Sequence, residues 1–178
     1  MDLGEIVEAI LRFQALHVVV TGGEPMIAPG IVDLNARLRE ASLHITIETA
    51  GTVFAPVACD LMSISPKLAN STPHEREGGR WAARHERLRY QPEVLRRLIA
   101  EYEYQLKFVV SAPEDVKEIS CIKEELGAVA SRIVLMPEGT KREVLQERGR
   151  WLAEICKATG YRLSPRLHID LWEDKRGV

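Results

Sequence analysis

Three short stretches carry residue types that can act on a ligand. In the first, the run His17-Val18-Val19-Val20 breaks into Thr21-Gly22-Gly23-Glu24-Pro25. Glycines lack Cβ, so the chain can turn sharply there and a ligand can approach main-chain N–H and C=O groups closely. Pro25 biases Glu24 away from the helical region and holds its carboxylate in an extended segment. A fixed acceptor of that kind suits an ammonium group. In the second stretch, Glu48 closes an alternating Ile45-Thr46-Ile47 run and precedes Thr49-Ala50-Gly51-Thr52. Its carboxylate can accept paired N–H donors from a guanidine-like edge. The third, Ser65-Pro66-Lys67, offers a hydroxyl and an ammonium, the latter suited to pairing with a carboxylate. Each has a plainer reading: a tight strand-to-helix turn at Gly22-Gly23, a backbone cap at Glu48, and a solvated lysine at Lys67.

The elements that must position these residues follow from periodicity. Ile6, Ile10 and Phe13 lie on one helical face within 5–15. Residues 17–21 form a strand whose valines read as buried on both faces, as in a parallel sheet. Pro29 suits a first helical turn, and Ile31, Leu34, Leu38 and Ala41 mark the helix that follows. His44 to Thr49 is a strand, and Leu61 to Ser65 another, stopped by Pro66. The segment 70–91 differs: it is polar and rich in arginine (Arg76, Arg80, Arg84, Arg87, Arg89), a long loop or lid with a helical portion after Trp81. It suits gathering a carboxylated substrate, but the interspersed Glu75, Glu77 and Glu86 equally suit a solvated surface loop.

Beyond the loop, Pro92 to Tyr102 is a helix and Tyr104 to Val110 a strand. Gln105 and Lys107 share one face of that strand. Polar residues on a buried strand need partners, so an internal hydrogen-bond network is the plain alternative to ligand contact. Helix 113–126, strand 132–136 and helix 141–159 follow. Gly160 closes the last of these as a C′ glycine, and Leu167 to Leu171 is the final strand, with His168 a satisfied strand histidine. Strands that alternate with helices predict a largely parallel sheet in an α/β fold. Ligands in such sheets sit at the carboxyl ends of the strands, where the three polar stretches fall.

Composition bounds the rest. The chain has 178 residues and is 46% hydrophobic, which suits one domain with a real core. A net charge of −2 gives no electrostatic reason to invoke nucleic acid or an anionic membrane. No apolar run reaches membrane-spanning length, the acidic start Met1-Asp2-Leu3-Gly4-Glu5 is unlike a signal peptide, and the expected location is cytoplasmic. An odd number of cysteines, three, does not make a disulfide framework. No Walker A, Rossmann or nucleophile-elbow pattern is present.

Together Thr21–Pro25, Glu48–Thr52 and Ser65–Lys67 resemble the 7-carboxy-7-deazaguanine synthase branch of the radical S-adenosylmethionine (SAM) enzymes. The strand Tyr104-Gln105-Leu106-Lys107-Phe108 and the stretch Leu135-Met136-Pro137-Glu138-Gly139 are also similar to it. The tail Pro165 to Gly177 resembles the family's C-terminus, except that Glu173 and Asp174 stand where the family reads Gly-Asn after Leu-Trp. The resemblance implies a partial parallel β/α barrel over 1–178 that lacks its first strand. It implies SAM contacts at Gly22, Gly23, Glu24, Ser65, Pro66, Lys67, Gln105 and Lys107, and substrate contacts at Thr21, Glu48 and Thr49. It further implies a lyase of queuosine biosynthesis that converts 6-carboxy-5,6,7,8-tetrahydropterin to 7-carboxy-7-deazaguanine. Its cofactors would be SAM, a [4Fe-4S] cluster and Mg²⁺, and dimers are expected.

One part of the pattern is missing. A cluster that cleaves SAM is held by three thiolates usually close together in sequence, and the family carries them upstream of the glycine turn. Here no cysteine precedes Cys59, and Cys59, Cys121 and Cys156 lie far apart. All three read as buried structural thiols, and no metal ligand or catalytic residue is assigned. The expectation is an N-terminally truncated copy, inactive alone, whose first strand edge is left unpaired. The alternatives are a non-catalytic SAM- or purine-binding remnant, or half of a split enzyme completed by a polypeptide carrying the cysteines.

Overall fold

The computed structural model describes residues Asp2 to Lys175. Arg176 and Gly177 of the family-like tail lie outside the described residues. Helices alternate with strands in the order α1 (Leu3–Leu11), β1 (His17–Val20), α2 (Ile31–Glu40), β2 (His44–Thr49), β3 (Leu61–Ile64), α3 (Ala82–Leu88) and α4 (Pro92–Glu101). There follow β4 (Tyr104–Val110), α5 (Asp115–Leu126), β5 (Ile133–Pro137), α6 (Arg142–Thr159), β6 (Arg162–Leu163) and α7 (Leu167–Trp172). The strands form one sheet in chain order, β1-β2-β3-β4-β5-β6, the α/β class that the alternation predicts. No helix among the described residues is long and apolar enough to cross a membrane. The chain divides into two compact units, Met1–Ser65 with Gln91–Gln105, and Pro66–Tyr90 with Leu106–Val178.

In the first unit β1, β2 and β3 pair in parallel, with His17 opposite His44 and Thr46 opposite Leu61. Ile45, Ile47, Met62 and Ile64 bury one face of these strands completely, as do Leu38 of α2 and Leu95 and Leu98 of α4. β1 is not buried on both faces. Its side chains are exposed or half-buried, with Val19 at 55% exposure, and no residue of α1 is fully buried. An apolar run records what a strand prefers, whereas burial depends on its neighbours, and β1 stands at the end of the sheet order. α1 nevertheless starts cleanly, because Asp2 and Glu5 form a reciprocal capping box. Pro29 lies outside α2, whose N-cap is Gly30 in the left-handed region, while Pro25 opens a 3-10 turn over Pro25–Ile27.

In the second unit β4, β5 and β6 are parallel, with Leu106 opposite Ile133 and Leu135 opposite Leu163. Leu106, Phe108, Val110, Ile119, Ile133, Leu135 and Leu152 make a fully buried core. Within 70–91, Arg89 is held by Glu86 and by Glu118 (both 2.8 Å) and donates to the Lys67 carbonyl at 2.8 Å. The Thr72 hydroxyl bonds the Glu86 carboxylate and lies 3.2 Å from His85 Nδ1. Arg76, Arg80, Arg84 and Arg87 are exposed.

The end of the chain differs from the sequence expectation. Leu167–Trp172 is helical, not a strand, with the Ile169 N–H donating to the Arg166 carbonyl, and His168 is exposed on that helix. The last strand comes earlier, at Arg162–Leu163, directly after Gly160 turns the chain in the left-handed region. The Leu-His-Ile-Asp-Leu alternation is too short to separate period two from a helical turn, and only Ile169 is buried.

Candidate functional site

Parallel register places the polar ends of β1 and β2 side by side. Val20 pairs with Ile47, so the next residues, Thr21 and Glu48, come level on the same face. The Thr21 hydroxyl lies 3.5 Å from Glu48 Oε2. One strand further, Glu48 is level with Ser63, and the Gln105 side-chain amide donates to the Ser63 hydroxyl at 3.0 Å. Thr21, Glu48, Ser63 and Gln105 thus form a polar row on one face of the first unit. Ser63 is fully buried and was not singled out by sequence. Its signal is the period-two position opposite Glu48, legible only once register is known.

The glycine turn lies at the end of the row. Gly22 (φ 108°) and Gly23 (φ 54°) both sit at positive φ, which L side chains avoid. Among the described residues other than the adjoining ones, no atom lies within 4 Å of where a Cβ would stand on either. The glycines are therefore required by conformation and not by packing, and the backbone there is open to approach.

Glu24 is extended (φ −124°, ψ 103°), as the following proline dictates. Its carboxylate is engaged by the protein itself. Oε1 accepts from the Thr49 hydroxyl (2.7 Å) and the Met26 N–H (3.2 Å). Oε2 accepts from the Ala50 N–H (3.0 Å) and the Thr52 hydroxyl (3.4 Å). The Thr49 hydroxyl also accepts from the Gly51 N–H (3.0 Å), and the Ser65 N–H donates to the Thr49 carbonyl (2.7 Å). The structure thus brings Thr21, Gly22, Gly23, Glu24, Glu48, Thr49 and Ser65 together at the ends of β1, β2 and β3. Pro66, Lys67 and Lys107 belong to the second unit, where Pro66 is buried, Lys67 exposed and Lys107 half-buried.

The thiols do not form a ligand set. Among the described residues no group of three or more His, Cys, Asp or Glu side chains is placed to hold a metal ion. Cys59 is half-buried, Cys121 is exposed on α5 and Cys156 is buried on α6, so the expectation of three buried thiols holds for Cys156 but not for Cys121. Burial and the neighbouring Asp60 push the Cys59 thiol up to about 11, the opposite of what a thiolate ligand needs. These residues do not fit an iron–sulfur cluster.

A protein of Halobacterium salinarum named 7-carboxy-7-deazaguanine synthase is 40% identical to this chain over 185 residues, spanning 98% of the chain and 72% of that protein. The chain belongs to the 7-carboxy-7-deazaguanine synthase family. A synthase of the same name from Rhodopirellula baltica is 38% identical over 175 residues, covering 98% of the chain and 68% of its own length. One from Pyrobaculum aerophilum is 31% identical over 185 residues. No protein-family model matches the chain. Among solved structures, Streptococcus suis SuiB bound to S-adenosylmethionine superposes with a TM-score of 0.63 at 13% identity, covering 93% of this chain and 41% of SuiB. That likeness concerns the fold: the chain spans about two fifths of SuiB and shares its strand-and-helix arrangement.

Proposed function

We propose that this chain supplies SAM and substrate contacts of a radical SAM 7-carboxy-7-deazaguanine synthase, which converts 6-carboxy-5,6,7,8-tetrahydropterin to 7-carboxy-7-deazaguanine on the route to queuosine. The observation that carries the reading is the open glycine turn beside the Thr21–Glu48 pair, in a chain 40% identical to a protein named for that synthase. The exposed backbone of Gly22 and Gly23 would receive SAM's methionine moiety, and Ser65 stands at a neighbouring strand end. Thr21 and Glu48 would meet the pterin, the Glu48 carboxylate accepting from its guanidine-like edge. A Thr49 contact rests on the sequence resemblance, because its buried hydroxyl is already engaged by Glu24 and Gly51. SAM contacts at Pro66, Lys67, Gln105 and Lys107 rest on the sequence resemblance, and Gln105 already donates to Ser63.

An iron–sulfur cluster would supply the electron chemistry of that synthase. Because Cys59, Cys121 and Cys156 do not fit it, its thiolates would have to come from polypeptide beyond these residues, and the chain alone would be inactive. Mg²⁺ likewise has no ligand set among the described residues. The same observation supports a second reading, a non-catalytic SAM- or purine-binding module. Location in the cytoplasm fits both.

Titration calorimetry of the chain with SAM, then with the pterin, tests the proposal. Saturable SAM binding that Gly23→Val abolishes supports it, whereas a folded chain that binds neither SAM nor pterin overturns it. Adding a polypeptide that carries three closely spaced cysteines, with iron, sulfide and reductant, separates the two readings. Turnover marks a split enzyme, and binding without turnover marks the non-catalytic module.

A further inference from the structure

We propose that Glu24 is a positioning residue: its carboxylate clasps the loop after β1 to the loop after β2, instead of making the ligand contact that the resemblance implies. A carboxylate offers about four lone-pair sites, and here four donors take them, two on each oxygen. Oε1 is shared by Met26 N–H, from its own turn, and the Thr49 hydroxyl, from the end of β2. Oε2 is shared by Ala50 N–H and the Thr52 hydroxyl, both from the β2 loop. An incoming ammonium could displace only the longest of these, from Thr52, without breaking a shorter bond.

The clasp acts through Thr49, which is itself nearly fully buried and passes the restraint to Gly51 through the hydroxyl that accepts the Gly51 N–H. The β1 loop carries the open glycines and the β2 loop follows Glu48. Glu24 therefore sets the spacing between the proposed SAM turn and the proposed substrate contact. This deepens the proposed function, but its first test needs no ligand.

Glu24→Gln keeps the size and removes the acceptor symmetry. Whichever way the amide is turned, its NH₂ faces one backbone donor, the N–H of Met26 or of Ala50, neither of which can rotate away. In the ligand-free chain, hydrogen exchange followed by NMR should show the amide of Met26 or of Ala50, whichever faces the NH₂, exchanging at least about tenfold faster in E24Q, the loss of one hydrogen bond to a charged acceptor. The amides of Ile45 and Ile47, within β2, should keep wild-type rates. T49V should accelerate Ala50 and Gly51, and T49S, which retains the hydroxyl, should restore both. Met26 and Ala50 amides that are both as protected in E24Q as in the wild type overturn the clasp. If E24Q does not fold, T49V against T49S decides by the same readout.

A second arm separates positioning from direct contact. Under the clasp, E24Q and T49V weaken SAM binding by similar factors and the double variant weakens it no further, because the two act as one unit. A loss confined to E24Q, or losses that add, would show that Glu24 touches the ligand and overturn the proposal. Absence of SAM binding to the wild-type chain bears on the proposed function alone, and the exchange arm still decides the clasp.

Discussion

The Thr49 hydroxyl meets Glu24 Oε1 at 2.7 Å, tying the end of β2 to the turn after β1. The same hydroxyl receives the Gly51 N–H, so one buried side chain joins an acidic residue of one loop to the tightest point of the next.

Gly51 shows how little room that link has. Its φ is 72°, and a Cβ would stand 2.4 Å from Leu95 Cδ2 and 2.8 Å from Ile64 Cγ2. Gly51→Ala is expected to combine backbone strain with overpacking and to destabilise the chain by about 2–4 kcal/mol. Urea unfolding checks it: the midpoint falls with little change in slope.

Asp60 ties the opposite ends of these strands. Its Oδ2 accepts from the Ile45 N–H (2.7 Å) and its Oδ1 lies 3.3 Å from Arg39. The Ile45 bond above all, with help from Arg39 and His44, holds its carboxyl below the ordinary value of 3.8. A depressed folded value means that the stabilisation is present above pH 3.8 and fades as pH falls through the folded value. Asp60→Asn should therefore cost about 1 kcal/mol at pH 7. In urea melts across pH 2–7, its deficit against the wild type should shrink in acid.

The thiols give a chemical readout of the fold. Cys121 is exposed, whereas Cys59 is raised from 9.0 to about 11. At pH 7.5 a disulfide reagent should label Cys121 first and reach Cys59 and Cys156 only on unfolding. Because the folded Cys59 holds its proton more tightly than the unfolded one, its contribution to stability is complete below pH 9 and declines as pH rises towards 11. Cys59→Ala should flatten that alkaline decline in thermal melts.

Much of this was legible in the sequence, and what was not has physical causes. The alternation in 44–49 gives β2, and the glycine after Thr159 gives the end of α6, because both signals are local. The family motifs locate Thr21, Glu48 and the glycine turn. Nothing local records that Glu24 bonds Thr49, Ala50 and Thr52, since those partners arrive only through parallel pairing. Nor does Val18-Val19-Val20 reveal exposure, which depends on what lies beyond β1. The short tail alternation failed because five residues fit a strand and a single helical turn alike.

The tail also carries a substitution whose effect the backbone discloses. Glu173, where the sequence resemblance implies glycine, caps α7 at φ 57° and ψ −151°, a region essentially reserved for glycine. The strain is local, because the Glu173 N–H still donates to the Ile169 carbonyl at 3.0 Å and closes the helix. Glu173→Gly should therefore keep that bond, relieve the strain and stabilise the α7 region by about 1 kcal/mol, net of glycine's greater freedom in the unfolded chain. Hydrogen exchange at the Glu173 amide is the direct check. Slower exchange in the variant at an unchanged global urea midpoint places the gain at the helix end, and faster exchange would show that the glutamate conformation is not strained.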